Sequence, residues 1–318
     1  MLQKHLHLKK KTRLIIIAIT AIVFCVIATF SISLLYTRFS KLYSINSSTE
    51  NVPFSDNIDS QKIDINQTDL IIGAINNFDT DYDVTPVSQK PGTVRIPVLT
   101  YHQIDDLAGK PKTRDYYVSP KLLDEQMKYL SEKGYKTLTP KEFYDILQTG
   151  KNPKQKSVML TFDDGNYNNY SNAFPILEKY GFTGVFYVPS SRRGINNAQL
   201  QEMVRGGMVI DPHGKTHMLL SKISETGVLY DELVTSKQSI ENVTGQKSNS
   251  FCYPGCEYNS AVTSILNSNN YLIAFTCGAS IDHKLGNRFT LSRNHVYNDM
   301  QHFKSILSGV HYYPTYSD

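Results

Sequence analysis

The residues able to do chemistry sit at the ends of short apolar runs. Asp163 and Asp164 are adjacent, directly after VMLTF at 158–162 and before Gly165. His213 and His217 stand four apart in HGKTH, after MVI at 208–210. His102 follows PVLTY, Gly255 closes FCYPG, and Arg293 and His295 lie in LSRNH. Two imidazoles and a carboxylate form a known donor set for catalytic zinc, with positions left for water and substrate. A second carboxylate beside that set can take a proton from the water. An imidazole on the opposite side can give one to a leaving group. The pattern points to metal-assisted hydrolysis. Each motif also has a plainer reading. Asp-Asp-Gly makes turns, an HxxxH spacing arises by chance, Pro-Gly ends strands, and a single His at a strand end is commonly structural. Position favours chemistry, because each motif follows a strand in one alternating series.

That series begins at Arg95. Apolar runs at 96–100, 135–138, 158–162, 184–188, 208–210, 251–253, 272–276 and 289–291 read as strands. Helices are expected between them. Ser119 caps one with Pro120 at its first position, Leu122, Leu123, Met127 and Leu130 as its stripe, and Gly134 at its end. Thr139-Pro140 repeats the device before Phe143, Ile146 and Leu147. Further helices are expected at 170–180, 198–205, 227–243, 259–268 and 299–308. Strand and helix alternate about seven times, which implies parallel strands covered by helices. An open doubly wound sheet and a closed barrel both fit. In either, sites lie at the carboxyl ends of strands.

With these residues in view, the sequence resembles the polysaccharide deacetylases with a NodB-type domain (carbohydrate esterase family 4). PVLTYHQI at 97–104, LTFDDG at 160–165, HGKTH at 213–217 and FCYPG at 251–255 carry the resemblance. It runs from about Arg95 to the end, and is nearest to a branch with YH in the first strand and FxYP in the third motif. That branch acts on N-acetylglucosamine of surface polysaccharides. The resemblance implies an α/β fold, a distorted (β/α) barrel of about seven strands. It implies Asp163 as general base and Asp164, His213 and His217 as ligands of a divalent metal, most simply Zn²⁺. His102 is the expected acid, with His295 the alternative, and the Gly255 N–H is the expected oxyanion donor. Many members carry Arg where this chain has Cys252, and Arg293 is the candidate to replace it. The expected reaction removes N-acetyl groups from a cell-wall or cell-surface glycan. The alternatives are an O-acetyl esterase acting on wall sugars and a non-catalytic glycan-binding protein on the same fold.

The rest of the chain says where this would happen. It has 318 residues, 40% hydrophobic and 19% charged, as in ordinary globular proteins. The net charge of +4 owes much to Lys4, Lys9, Lys10, Lys11 and Arg13, so no basic face for nucleic acid is indicated. Residues 14–36 carry no charge over 23 positions, which is long enough for a membrane-spanning helix. Basic residues precede it, which orients the chain with 1–13 in the cytoplasm and the remainder outside. Residues 37–94, rich in Asn, Ser, Asp and Thr, read as a stalk before a catalytic domain at 95–318. The expected location is the cell membrane, single-pass. If 251–253 and 272–276 are neighbouring parallel strands, Cys256 and Cys277 share a rim and can form a disulfide, leaving Cys252 as a buried thiol. The alternative is three free cysteines.

Overall fold

In a computed structural model of the chain, Ser157–Phe162 is a strand buried at every residue. Its alternate side chains go to different places. Leu160 and Phe162 join one apolar cluster and Met159 joins another. A strand covered on both faces needs no polar alternation, which explains the unbroken apolar run. The structure describes residues 92–106, 115–191 and 193–310. The basic tail 1–13, the apolar run 14–36 and the linker up to residue 91 lie outside them. Among the described residues no helix is long and apolar enough to cross a membrane.

In chain order the elements are β1 (Thr93–Arg95), β2 (Val98–Tyr101), β3 (Gln103–Ile104), β4 (Tyr117–Val118), α1 (Pro120–Glu132), β5 (Lys136–Thr137) and α2 (Pro140–Thr149). Then come β6 (Ser157–Phe162), α3 (Phe174–Tyr180), β7 (Gly184–Val188), α4 (Asn197–Arg205), β8 (Val209–Pro212), α5 (Thr226–Tyr230) and α6 (Ser236–Thr244). The last are β9 (Ser250–Cys252), α7 (Ser260–Ser268), β10 (Ile273–Phe275), β11 (Asp282–Lys284), β12 (Asn294–His295) and α8 (Met300–Ser308). The two Pro-led helices start as their caps dictate. Ser119 accepts from the Leu122 N–H, and Thr139 and Glu142 form a reciprocal capping box. The expected single helix at 227–243 is α5 and α6 joined by a π-helical turn, Asp231–Thr235.

The main sheet is parallel, in the order β12-β2-β6-β7-β8, with β5 paired to the start of β6. β9 and β10 form a separate parallel pair. The backbone ladders do not join into one ring, and here the structure departs from the expected barrel. Between β8 and β9 a side chain takes the place of a ladder: the Asp211 carboxylate accepts from Ser250 N–H (2.8 Å) and Ser250 Oγ (2.5 Å). On the other side, single bridges link Phe275 to Leu291 and Gly278 to Asn294. The strand expected at 289–291 is thus reduced to one bridge, because Asn287–Thr290 turns on itself. β1 pairs antiparallel with β11, so Thr93 and Val94, read from sequence as the end of the linker, pair with the domain.

Register positions the site. Tyr101 of β2 is level with Phe162 of β6, which is level with Phe186 of β7. Their rings stack at centroid distances of 5.0 Å and 4.7 Å. Burying each such ring contributes about 1.5–3 kcal/mol. The residue after Tyr101 is His102 and the residue after Phe162 is Asp163, so the strand ends deliver both to one rim.

Candidate active site

Asp163 is 2% exposed and would be costly to ionise alone. Arg293 compensates. Its Nη1 donates to Asp163 Oδ1 at 2.8 Å and its Nη2 to Oδ2 at 2.7 Å, a two-point fork. Nη1 also donates to Thr161 Oγ1 at 3.1 Å, and the guanidinium lies 5.6 Å over the Tyr187 ring. Burial pushes the Asp163 carboxyl up, but the charge and hydrogen bonds of Arg293, with the His213 and His102 imidazoles, together hold it below its ordinary value. Cys252 Sγ lies 2.8 Å from Arg293 Nη2 and 3.5 Å from Asp163 Oδ2. Burial raises the Cys252 thiol well above its usual range, so it is a neutral neighbour.

Asp164 turns the other way. Its backbone is left-handed, with φ 73°. Its Oδ1 lies 3.6 Å from His213 Nε2 and 3.1 Å from His217 Nε2. Burial would raise this carboxyl, yet the two imidazoles bring it far below its ordinary value. Donor atoms of Asp164, His213 and His217 all lie within 4.8 Å of one another. His213 Nδ1 is 2.8 Å from the Cys252 carbonyl oxygen. That oxygen can only accept, so Nδ1 carries the proton and Nε2 presents its lone pair to the cluster. Metal-ligating histidines are oriented in this way, and the set fits a divalent cation. Asp163, His213 and Cys252 also converge, but the Arg293 guanidinium already sits between Asp163 and Cys252. A second cation there would be repelled.

The HGKTH segment is a loop shaped by a buried acid that the sequence reading did not single out. Glu232, 2% exposed in the π-helical turn, accepts from Lys215 N–H (2.7 Å), Thr216 N–H (3.1 Å) and Thr216 Oγ1 (2.5 Å). Gly214 is left-handed at φ 77°, and a Cβ there would lie 2.7 Å from Glu232 Oε2. In sequence Glu232 is one polar residue of an amphipathic stretch, with no local sign of its role.

The remaining expected residues share a cleft of about 480 Å³ with these, lined by His102, Gly255, Arg293 and His295 among others. His102 Nε2 is 3.9 Å from Asp163 Oδ2. The sequence reading placed its ring across the site from Asp163. β2 and β6 are register neighbours, so the ring stands beside the carboxylate. Burial lowers the His102 imidazole against the pull of Asp163, and its Nδ1 has no hydrogen-bond partner. His295, 5.5 Å away ring to ring, has its Nε2 on the Asp115 carbonyl at 2.5 Å, and burial takes it down to about 4. Gly255 has φ 60°, and a Cβ on it would collide with Leu219. The next residue, Cys256, is disulfide-bonded to Cys277 with Cα atoms 5.3 Å apart, and Cys252 is free and buried. Tyr116 and Tyr297 line the cleft too, and Tyr116 packs edge-on to the His102 ring at 5.0 Å. Neither was marked by any sequence motif.

Residues 150–274 match the polysaccharide deacetylase family profile. That segment holds Asp163, Asp164, His213, His217 and Gly255; His102 and Arg293 lie on either side of it. YxkH of Bacillus subtilis, a protein named after the same family, is 30% identical over 193 residues, covering 59% of this chain and 66% of that protein. The poly-β-1,6-N-acetyl-D-glucosamine N-deacetylase of Staphylococcus epidermidis is 32% identical over 111 residues, 32% of this chain and 38% of its own length. The chain thus spans less than two thirds of the length of these relatives. Among solved structures, the Streptococcus pyogenes deacetylase PplD, in complex with acetate, superposes with a TM-score of 0.61 at 28% identity, over 66% of this chain and 95% of that one. With its paired aspartates and its two histidines on one rim of a parallel sheet, the chain carries a polysaccharide deacetylase family domain, matched over residues 150–274.

Proposed function

We propose that the chain hydrolyses N-acetyl groups of N-acetylglucosamine residues in a cell-wall or cell-surface glycan, outside a membrane to which the apolar run 14–36 anchors it. One observation carries this reading: Asp163, kept ionised by the Arg293 fork, adjoins the Asp164, His213 and His217 cluster in a single cleft. The printed name of the Staphylococcus epidermidis relative supports the choice of an N-acetylated glucosamine polymer.

A divalent ion on Asp164, His213 and His217, with Zn²⁺ the first choice for two imidazoles and a carboxylate, would supply Lewis acidity at the acyl oxygen and acidify water. Asp163 Oδ2, which faces His102, takes the proton of the attacking water. Arg293 is a positioning residue that acts through Asp163. It keeps the carboxylate ionised and aimed. His102 Nε2 delivers a proton to the leaving nitrogen. A buried imidazole of lowered proton affinity is a strong acid once loaded, and the carboxylate 3.9 Å away is placed to load it. The Gly255 N–H donates to the oxygen that becomes negative in the tetrahedral state. Water and acetamide become acetate and a free amine.

The test is acetate release from an N-acetylglucosamine oligomer, with mass spectrometry of the product, before and after chelation and metal return. Release that stops with chelator and returns with metal is expected. Absence of acetate from every N-acetylated oligomer, with full metal occupancy, would overturn the proposal. Release from O-acetylated sugars alone would move the activity to the ester.

A further inference from the structure

Asp164 and His217 line two hollows. One is the cleft that holds His102 and Arg293; the other, of about 410 Å³, has Asn166 and Arg193 in its wall. Arg193 is held in place from three directions. Its Nε donates to the Ile195 carbonyl at 3.1 Å, Nη1 donates to the Ser190 carbonyl, and Nη2 donates to Asn197 Oδ1. The loop that carries it is stitched to both metal-binding segments. Ser190 and Ser191 N–H donate to the Gly214 and Lys215 carbonyls, each at 3.0 Å, and Gly194 N–H donates to Gly165 O at 2.9 Å. The loop that carries the guanidinium is therefore tied to the segments that carry Asp164 and His217.

Every acceptor on Arg193 is neutral. Among the described residues no carboxylate pairs with it, and burial pulls its proton affinity down with nothing to offset this. A guanidinium carries five N–H donors, so two remain for another partner. Asn166 Nδ2, on the same wall, is covered and has no acceptor. Asp164, the carboxylate of this lining, is turned to His213 and His217. A partly desolvated cation in the wall of a hollow, without a counter-charge among the described residues, is an anion-recognition arrangement.

We propose that this hollow is a second sugar subsite, and that Arg193 there binds an anionic substituent, a carboxylate or a phosphate, on the sugar next to the one bearing the reacting acetamide. This rests on the glycan deacetylase reading above and narrows its substrate to an anionic glycan. It also sets the minimum substrate at two linked sugars, one in each hollow on either side of Asp164 and His217.

Binding to the full-length chain decides the matter. The probes are a neutral N-acetylglucosamine tetrasaccharide and two of equal length, one with a lactyl carboxylate and one with a phosphate monoester on the adjoining sugar. At least one anionic probe is expected to bind about tenfold more tightly than the neutral one. Which of the two does so identifies the source of the charge. Arg193→Gln should abolish that preference and leave the neutral affinity as it was. A measurement on the unaltered chain guards against a folding defect: raising salt from about 0.05 M to about 0.5 M should weaken the anionic probe selectively. Equal affinity for all three probes, no binding of any, or an equal loss for all three in Arg193→Gln overturns the subsite. Acetate release on the same probes separates the two claims, because anionic preference without acetate keeps the subsite and sinks the hydrolase.

Discussion

Arg293 grips both carboxylate oxygens of Asp163 across a separation of 130 residues, with both side chains 3% exposed. Neither could be buried as an ion without the other. The geometry has a direct consequence for acidity. Burial alone would raise the Asp163 carboxyl, and Arg293 leads the groups, with His213 and His102, that bring it below its ordinary value.

Replacing Arg293 by Lys keeps a charge but not the fork. The Asp163 pKa then rises, so the acid limb of the acetate-release profile should move to higher pH, because the base must be ionised to accept a proton. A pH–rate profile checks this. The stability term has a definite direction as well. A carboxyl depressed in the folded state contributes stability above its unfolded pKa, and that stability is lost as pH falls through the folded value. Arg293→Ala should cost about 3–5 kcal/mol in urea unfolding at neutral pH. An unmoved acid limb in Arg293→Lys would remove Arg293 from the control of Asp163.

The two candidate acids should separate cleanly. His102→Gln is expected to lower turnover by about 10²–10⁴, the usual scale for a lost general acid. His295→Gln should change turnover far less, since His295 spends Nε2 on the Asp115 carbonyl and burial takes its pKa down to about 4. Steady-state turnover of the two variants with equal metal content is the measurement. A larger loss in His295→Gln would exchange the roles.

Metal affinity should report on Glu232. Alanine at Asp164, His213 or His217 removes a donor and should abolish stoichiometric metal after dialysis, read by elemental analysis. Glu232 touches none of the proposed ligand atoms, but its carboxylate holds Lys215 and Thr216 between the two histidines. Glu232→Gln retains one amide oxygen as acceptor, and a fall of about 10–100-fold in metal affinity is expected, with the ligands intact. An unchanged affinity would reduce Glu232 to a packing residue.

The Cys256–Cys277 bond closes a sequence separation of 21. In the chain-entropy model a loop of that size stabilises by roughly 3 kcal/mol. The Cys256→Ser, Cys277→Ser double variant should lose about that amount in urea unfolding, while Cys252 remains a buried thiol. The cleft should also loosen around Gly255, raising KM for glycan before turnover changes. A double variant as stable as the parent would contradict a bonded pair.

Much of the site is legible from the amino-acid order because its causes are local. An unbroken apolar run marks a strand buried on both faces, so VMLTF announces where Asp163 and Asp164 must emerge. Ser119-Pro120 and Thr139-Pro140 start helices by chemistry within one turn. The four-residue interval between His213 and His217 marks a possible ligand pair wherever the loop goes. By itself the sequence determined these elements, the rim they share and the kind of chemistry that rim supports.

Only the tertiary structure decided who stands beside whom. His102 adjoins Asp163 because β2 and β6 pair with Tyr101 level with Phe162, and no property of either strand alone contains that register. Arg293 is an exposed-type residue in sequence, buried here because the arrival of β12 beside β2 brings its side chain over Thr161 and Tyr187. Glu232 looks like any helix-surface acid until the HGKTH loop folds onto it. The ring that the family resemblance implies stays unclosed in its backbone ladders, because the Asp211 side chain, not a strand backbone, meets Ser250. Hydrogen-bond register and side-chain burial are properties of pairs of segments distant in the chain, and that is the physical reason they cannot be read from either segment alone.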